Sequence, residues 1–190
     1  GNLTADELKA RVESYFEDNG LEGASFLGLT GRDALGALIA MELYYEQTGS
    51  RGALSLIASL ARRQMDLGNP GVFLRINDST GEYLSLTSIQ YLTGWRYVWE
   101  KNSSLGVLAQ GADYYGFTIY SDSVLRDRDG EKTEKMARMA KYQNVIHIPE
   151  EYSYDIFGVQ AVYLSGTELA CAADDAMMTQ AQELLARLLA

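Results

Sequence analysis

Apolar positions recur at helical spacing near the start of the chain, where Leu8, Val12, Tyr15 and Phe16 follow Thr4-Ala5-Asp6-Glu7. A threonine with a glutamate three residues on is a capping box, which predicts an amphipathic helix from Thr4 to about Asn19, stopped by Gly20. Ala24 to Leu29 is short, apolar and bounded by glycine, which fits a buried strand or an irregular lead-in. Thr30-Gly31-Arg32-Asp33 offers a second cap, and the run from Ala34 to Leu43 has almost no polar face. A helix apolar all round belongs in the middle of a fold. After Gly49, Ala53 to Met65 reads as a third helix with Leu54, Ile57, Ala58, Ala61 and Met65 inward and Arg62 and Arg63 outward, forming a hairpin with the second.

Gly68-Asn69-Pro70-Gly71 breaks this pattern, and the period shortens to that of strands. Val72 to Ile76 and Tyr83 to Leu86, with a turn at Asn77 to Gly81, predict a hairpin. Tyr91 to Trp99 satisfies both periods, and Val107 to Ala109 and Phe117 to Tyr120 are short strand candidates. Glu131 to Lys141 reads as a solvated helix, with Glu131 and Lys135 spaced for an ion pair. Val145 to Ile148 is a strand closed by Pro149. Phe157 to Leu164 and Glu168 to Ala172 form a hairpin about Ser165-Gly166. A last helix starts near Asp174, with Met177, Met178, Ala181, Leu184, Leu185 and Leu188 inward.

Helices come first, strands dominate the middle, and no regular βαβ alternation appears. This predicts an α+β fold: one compact domain over residues 1–190, with helices at both ends around a mixed or antiparallel sheet built from the middle and C-terminal parts. No internal repeat of 20 to 50 residues is present.

Composition narrows the function classes. With 47% apolar and 22% charged residues and only two prolines, the whole chain is expected to fold. The net charge of -10 opposes binding to a phosphate backbone, and no stretch gathers Lys and Arg without acids between them, so nucleic acid is not an expected partner. The charge is uneven: residues 150–190 hold seven acids and one base, residues 61–149 ten and eleven. The longest apolar run, Ala34 to Met41, has eight residues against the ~20 needed to cross a bilayer. Gly1 reads as an expression scar or the edge of a removed leader, and a leader would make the protein extracytoplasmic: secreted or membrane-tethered, as a bacterial lipoprotein is.

Imidazole and thiol chemistry reduce to single positions, His147 and Cys171. One of each does not complete a structural zinc site, and no metal or other cofactor is predicted. His147 sits in Val145-Ile146-His147-Ile148-Pro149, where alternation sets it opposite Ile146 and Ile148, either as a base facing a cleft or as a histidine bonded to backbone. No G-x-S-x-G or S-x-x-K pattern supplies a nucleophile for it. Cys171, in Leu169-Ala170-Cys171-Ala172, reads as a small strand hydrophobe with a protonated thiol. Just beyond His147, the residues Glu150, Glu151 and Asp155 mix with Tyr152 and Tyr154. This cluster is the candidate catalytic set of a hydrolase working through carboxylates or His147, since a glycosidase needs two carboxylates and no histidine.

Two further segments hold candidate chemistry. Thr30 and Arg32, at the start of the buried helix, are candidates for holding an anion, although the spacing matches neither a P-loop nor a dinucleotide fingerprint and capping accounts for it better. Asp127-Arg128-Asp129-Gly130-Glu131 has acids and a turn glycine without the twelve-residue calcium-loop spacing, and is read as a solvated loop. Tyr91, Trp95, Tyr97 and Trp99 include both tryptophans and make an aromatic platform in either geometry. Exposed, it suits a peptide, glycan or protein partner; buried, it is core. The leading expectation is a noncatalytic binding domain using this platform, with the carboxylate or His147 hydrolase as the alternative.

Overall fold

The computed structural model describes residues 2–78, 81–102, 105–118, 123–128, 131–136 and 139–190, with backbone alone for 77–78, 123–128 and 131–136. The helices are α1 (Ala5–Asp18), α2 (Gly31–Thr48), α3 (Arg51–Asp66), α4 (Leu86–Thr93), α5 (Glu150–Phe157) and α6 (Asp175–Leu189). The strands are β1 (Val72–Leu74), β2 (Ile76–Asp78), β3 (Gly81–Ser85), β4 (Arg96–Glu100), β5 (Leu105–Gln110) and β6 (Asp113–Phe117). They continue as β7 (Ser123–Arg128), β8 (Glu131–Met136), β9 (Ala140–Tyr142), β10 (Val145–Pro149), β11 (Gln160–Tyr163) and β12 (Leu169–Ala173). Three antiparallel sheets result, ordered β1-β12-β11, β2-β3-β10-β9 and β4-β5-β6-β7-β8, and the fold is α+β. The chain divides into two units, one of residues 1–74 and 161–190 and one of residues 75–160.

In the first unit the capping box forms as its sequence implies. Thr4 Oγ1 accepts from the Glu7 amide, and the Glu7 carboxylate accepts from the Thr4 amide. α2 packs against α3, α6 and β12, which is why every residue from Ala34 to Met41 is buried. Its cap differs from expectation: Thr30 stands at the N-cap position, but its side chain makes no capping bond. Ala24 to Leu29 takes the irregular option, with a 3₁₀ turn at Phe26–Gly28. The inner stripe of α3 is Ala53, Leu56, Ile57, Leu60, Ala61 and Gln64, so Ala58 and Met65, read as inward, face out. Buried Gln64 takes the place expected for Met65 because its amide is used. It donates to Leu29 O at 2.9 Å and accepts from Asn69 Nδ2 at 2.9 Å, while Asn69 Oδ1 accepts from the Gly71 amide at 3.0 Å. A satisfied amide network is compatible with a core position.

One carboxylate is also buried here. Glu42, on α2, accepts from the amide and the hydroxyl of Ser165, each at 2.6 Å, and so ties α2 to the β11–β12 turn. Arg11 of α1 donates to the Arg187 and Leu188 carbonyls at 3.2 and 3.3 Å, satisfying groups that the end of α6 leaves without helical partners. Cys171 pairs in register with Val72 and is fully buried. Burial, with Glu42 nearby, pushes its thiol far above the ordinary range, so the inert reading of this residue fits its surroundings.

In the second unit three readings of the sequence need correction. The expected 72–76 with 83–86 hairpin is divided, because Val72–Leu74 leaves to pair with β12 and only Ile76–Asp78 pairs with β3. Glu131 to Lys141 is not a helix: Glu131–Met136 is a strand in register with β7, and Ala140–Tyr142 is a strand beside β10. Lys, Glu and Thr satisfy either period when both faces are polar, and the neighbouring strand, which one segment's pattern cannot reveal, decides the outcome. Phe157 closes α5 instead of opening the last hairpin, whose first strand starts at Gln160. Residues 119 and 120, read as a strand end, and Asp129-Gly130, read as part of an acidic loop, lie outside the described residues; Asp127 itself is on β7, opposite Lys132.

Candidate functional site

The segment that satisfied both periods is neither one helix nor one strand. α4 ends at Thr93, Gly94 takes a left-handed conformation with φ of 73°, and β4 begins at Arg96. That conformation is nearly free for glycine and costly for a residue with a Cβ, so Gly94 sets where the chain changes direction. Side chains pin the junction. Thr93 Oγ1 donates to Ile89 O at 2.7 Å, Gln90 Nε2 donates to Trp95 O at 3.3 Å, and Gln110 Nε2 donates to Thr93 O at 2.8 Å.

This junction divides the four aromatic candidates. Trp95 is half-buried, with its ring edge-on to Phe157 and tilted on Tyr115, both at 5.4 Å between centroids. Alternation along β4 then sets Tyr97 and Trp99 on one face. Tyr97 is half-buried and stacks on Phe117 at 6.2 Å and 24°, and burial raises its hydroxyl pKa. Phe117 in turn lies against Gly106, where a Cβ would come within 2.6 Å of its ring, so glycine at 106 is what lets the ring seat. Trp99 is 42% exposed, and Tyr91, on α4, is 38% exposed.

Tyr97 and Trp99 form one wall of a cleft of about 320 Å³, within the range typical of small-ligand sites. α4 contributes Leu86, Thr87 and Gln90. The β9–β10 hairpin contributes Lys141, Asn144, Val145 and Ile146. Gln143 and Asn144 form the two-residue turn of that hairpin with φ of 51° and 63°, the pair of positive values that a type I′ turn requires. Sequence reading missed this turn because its N-terminal strand was taken into the Glu131–Lys141 helix. The available signal was Asn144, the residue type after glycine that best accepts positive φ. Tyr91 and Trp95 are not among the lining residues.

The other candidates occupy different surroundings. His147 is 4% exposed in the middle of β10, and both faces of that strand are buried, since Ile146, His147 and Ile148 are all covered. Its Nδ1 lies 2.8 Å from Val145 O, an oxygen that only accepts, so Nδ1 carries the proton. The ring stands edge-on to Tyr142 at 5.4 Å. Among the described residues no hydroxyl or carboxylate bonds the imidazole, and the buried Ser153 Oγ has no hydrogen-bond partner at all. Glu150 and Glu151 lie in the first turn of α5 and, with Tyr154 and Gln160, line a shallow depression that does not include His147. Asp155 is exposed on the same helix. Arg32 pairs with Asp174 at 2.7 Å, so the guanidinium beside Thr30 already holds a carboxylate of this chain. No group of three or more metal-ligating side chains occurs among the described residues, nor is any helix among them long and apolar enough to cross a membrane.

Burial lowers the His147 pKa, an effect that the bond to Val145 partly offsets. The unfolded chain therefore binds a proton near pH 6.5 that the folded chain resists, and stability falls as pH drops below that value. His147→Phe is expected to flatten this part of the pH profile, by a slope of up to about 1.4 kcal/mol per pH unit, in urea unfolding followed from pH 7.5 to 5. Parallel profiles for the variant and the parent chain would refute it.

Comparison with protein-family models, with curated proteins and with solved structures gives no match for this chain.

Proposed function

We propose that the protein is a noncatalytic binding module whose ligand, a peptide, a glycan or a protein segment, docks in the cleft walled by Tyr97 and Trp99. The observation that carries this reading is the exposure of Trp99 on the rim of a cleft of ligand size. An indole held at 42% exposure on a β-strand offers a large rigid apolar face at little entropic cost, the property that makes tryptophan a frequent anchor in recognition. Its neighbours are themselves held in place, with Tyr97 by Phe117 and the α4 wall by the bonds about Thr93. A wall that needs no ordering on binding adds to affinity.

Glycan and peptide arrays probed with the parent protein and with Trp99→Ala test the proposal. Ligands are expected whose signal falls about tenfold or more in the variant, as loss of an aromatic anchor implies. Ligands of the parent protein that bind Trp99→Ala equally well would put the site elsewhere and defeat the reading.

A further inference from the structure

Each of the three sheets ends in strands with a single neighbour, and such an edge offers a row of backbone N–H and C=O groups to any chain that can pair with it. Most of these edges are short, charged or partly covered. β1, β2 and β9 have three residues each, with Lys141 at the centre of β9; β8 carries Lys132, Glu134 and Lys135; β11 is half-buried throughout. Short edge strands and edge lysines are the usual means of keeping one sheet from pairing with another. β4 differs. All five of its residues pair with β5 on one side, and among the described residues no strand pairs with the other. Its central Tyr97-Val98-Trp99 is uncharged and made of residues that favour strands, and Val98 and Trp99 are 54% and 42% exposed.

The order of residues along β4 is complementary to itself. Laid antiparallel against a second copy with Val98 opposite the partner's Val98, Arg96 falls opposite the partner's Glu100 and Tyr97 opposite the partner's Trp99, and the other two pairs follow by symmetry. Unlike charges then meet at both ends, and an aromatic pair flanks the valines on each side, the combinations that stabilise cross-strand pairs. Parallel pairing in the same register would instead set Arg96 on the partner's Arg96 and Glu100 on the partner's Glu100. Glu100 has partners within its own chain, the Asn102 amide at 3.1 Å among them, and these leave the sign of its charge, and so its preference for an arginine opposite, unchanged. Any extended peptide can meet the backbone of this edge. To meet its side chains as well, a peptide must present arginine, two aromatics and glutamate in the matching order, and β4 is itself such a sequence.

We infer that β4 is a self-association edge: two copies of the chain pair β4 to β4, antiparallel about Val98, and join two five-stranded sheets into one of ten strands. Tyr97 and Trp99 share one face of β4, so the partner's Trp99 stands beside Tyr97 on the face that lines the cleft and extends its aromatic wall. Each cleft then holds residues of both copies.

The test is sedimentation equilibrium of the 190-residue chain from low micromolar to millimolar concentration, with hydrogen exchange of the β4 amides in parallel. A reversible monomer–dimer equilibrium is expected, with protection of the Arg96–Glu100 amides rising with the dimer fraction. Val98→Lys, which sets like charges against each other across the symmetry axis at an exposed position, is expected to weaken the dimer about tenfold or more while circular dichroism matches the parent protein. Arg96→Glu and Glu100→Arg should each weaken it several-fold, and a one-to-one mixture of these two variants should recover the parent affinity, since each strand then meets unlike charges at both ends. A chain monomeric over the whole range overturns the inference, as does a dimer indifferent to Val98→Lys, a mass that climbs beyond two copies, or a mixture of the charge variants that pairs no better than either alone. A monomer whose β4 amides become protected on adding a peptide found on the arrays would give the edge to a peptide instead, and would leave the binding function standing.

Discussion

Replacing Glu42 with alanine is expected to lower the free energy of unfolding by about 3–4 kcal/mol, the combined effect of losing two buried hydrogen bonds and leaving a backbone donor unsatisfied. Both Ser165 donors approach the Glu42 carboxylate at 2.6 Å, and the glutamate is 1% exposed. The Ser165 amide stays in the protein when the carboxylate is removed, and Glu42 is the acceptor that holds it. Ser165→Ala removes the hydroxyl and keeps the amide bond, so it should cost only about 1–2 kcal/mol. Glu42→Gln should fall between the two, because one oxygen still accepts and the hydroxyl can reverse its role. Urea unfolding monitored by far-ultraviolet circular dichroism would rank the three variants. Were Glu42→Ala no worse than Ser165→Ala, the backbone bond would not be a major support of the turn.

Trp95→Ala is expected to cost about 2–3 kcal/mol, below the loss for a fully buried tryptophan because the residue is half-buried, whereas Trp99→Ala should stay within about 0.5 kcal/mol of the parent chain. The contrast follows from the ring contacts. Trp95 meets Tyr115 and Phe157, and those two meet each other at 5.4 Å, so removing the indole opens one side of a three-ring cluster. Trp99 takes part in no ring contact found among the described residues, and 42% of it faces solvent. Single-tryptophan variants would also differ in acrylamide quenching, with the chain retaining Trp99 quenched more strongly. Equal destabilisation by the two alanine substitutions would mean that Trp99 is structural, which would weaken its assignment as a ligand anchor.

These two positions also mark where local pattern carries information and where it stops. α1 and α6 were legible because each has its cap and its apolar stripe in contiguous sequence: Thr4 with Glu7 begins one, and Asp174, which accepts from the Met177 amide, begins the other; α2 was legible from its unbroken apolar run, although Thr30 makes no capping bond. The position of Gln64 was not legible, because a buried amide is satisfied by Leu29 and Asn69, residues that its own helix pattern does not reveal. β8 failed for the related reason that a strand polar on both faces is defined by its partner β7. Of the candidate site, Tyr97 and Trp99 were found from aromatic spacing alone. Lys141 and Asn144 were not, since they reach the cleft through a turn about forty residues away, which the wrong period had hidden. His147 drew attention through rarity, a property of composition, and its bond to Val145 depends on local backbone geometry that composition does not carry.

The division of the chain has a consequence for the order in which it is made. Residues 75–160 lie between the two halves of the first unit, so every contact of the second unit is available before β12 and α6 leave the ribosome. Val72, by contrast, must wait for Cys171, and Arg11 for the carbonyls of Arg187 and Leu188. During that interval α2, which already has α3, lacks α6 and β12, the other elements that cover it, and an uncovered apolar surface is what makes a nascent chain prone to aggregation. Of the two units, the one whose synthesis starts first is the one that must wait for the later residues to be made.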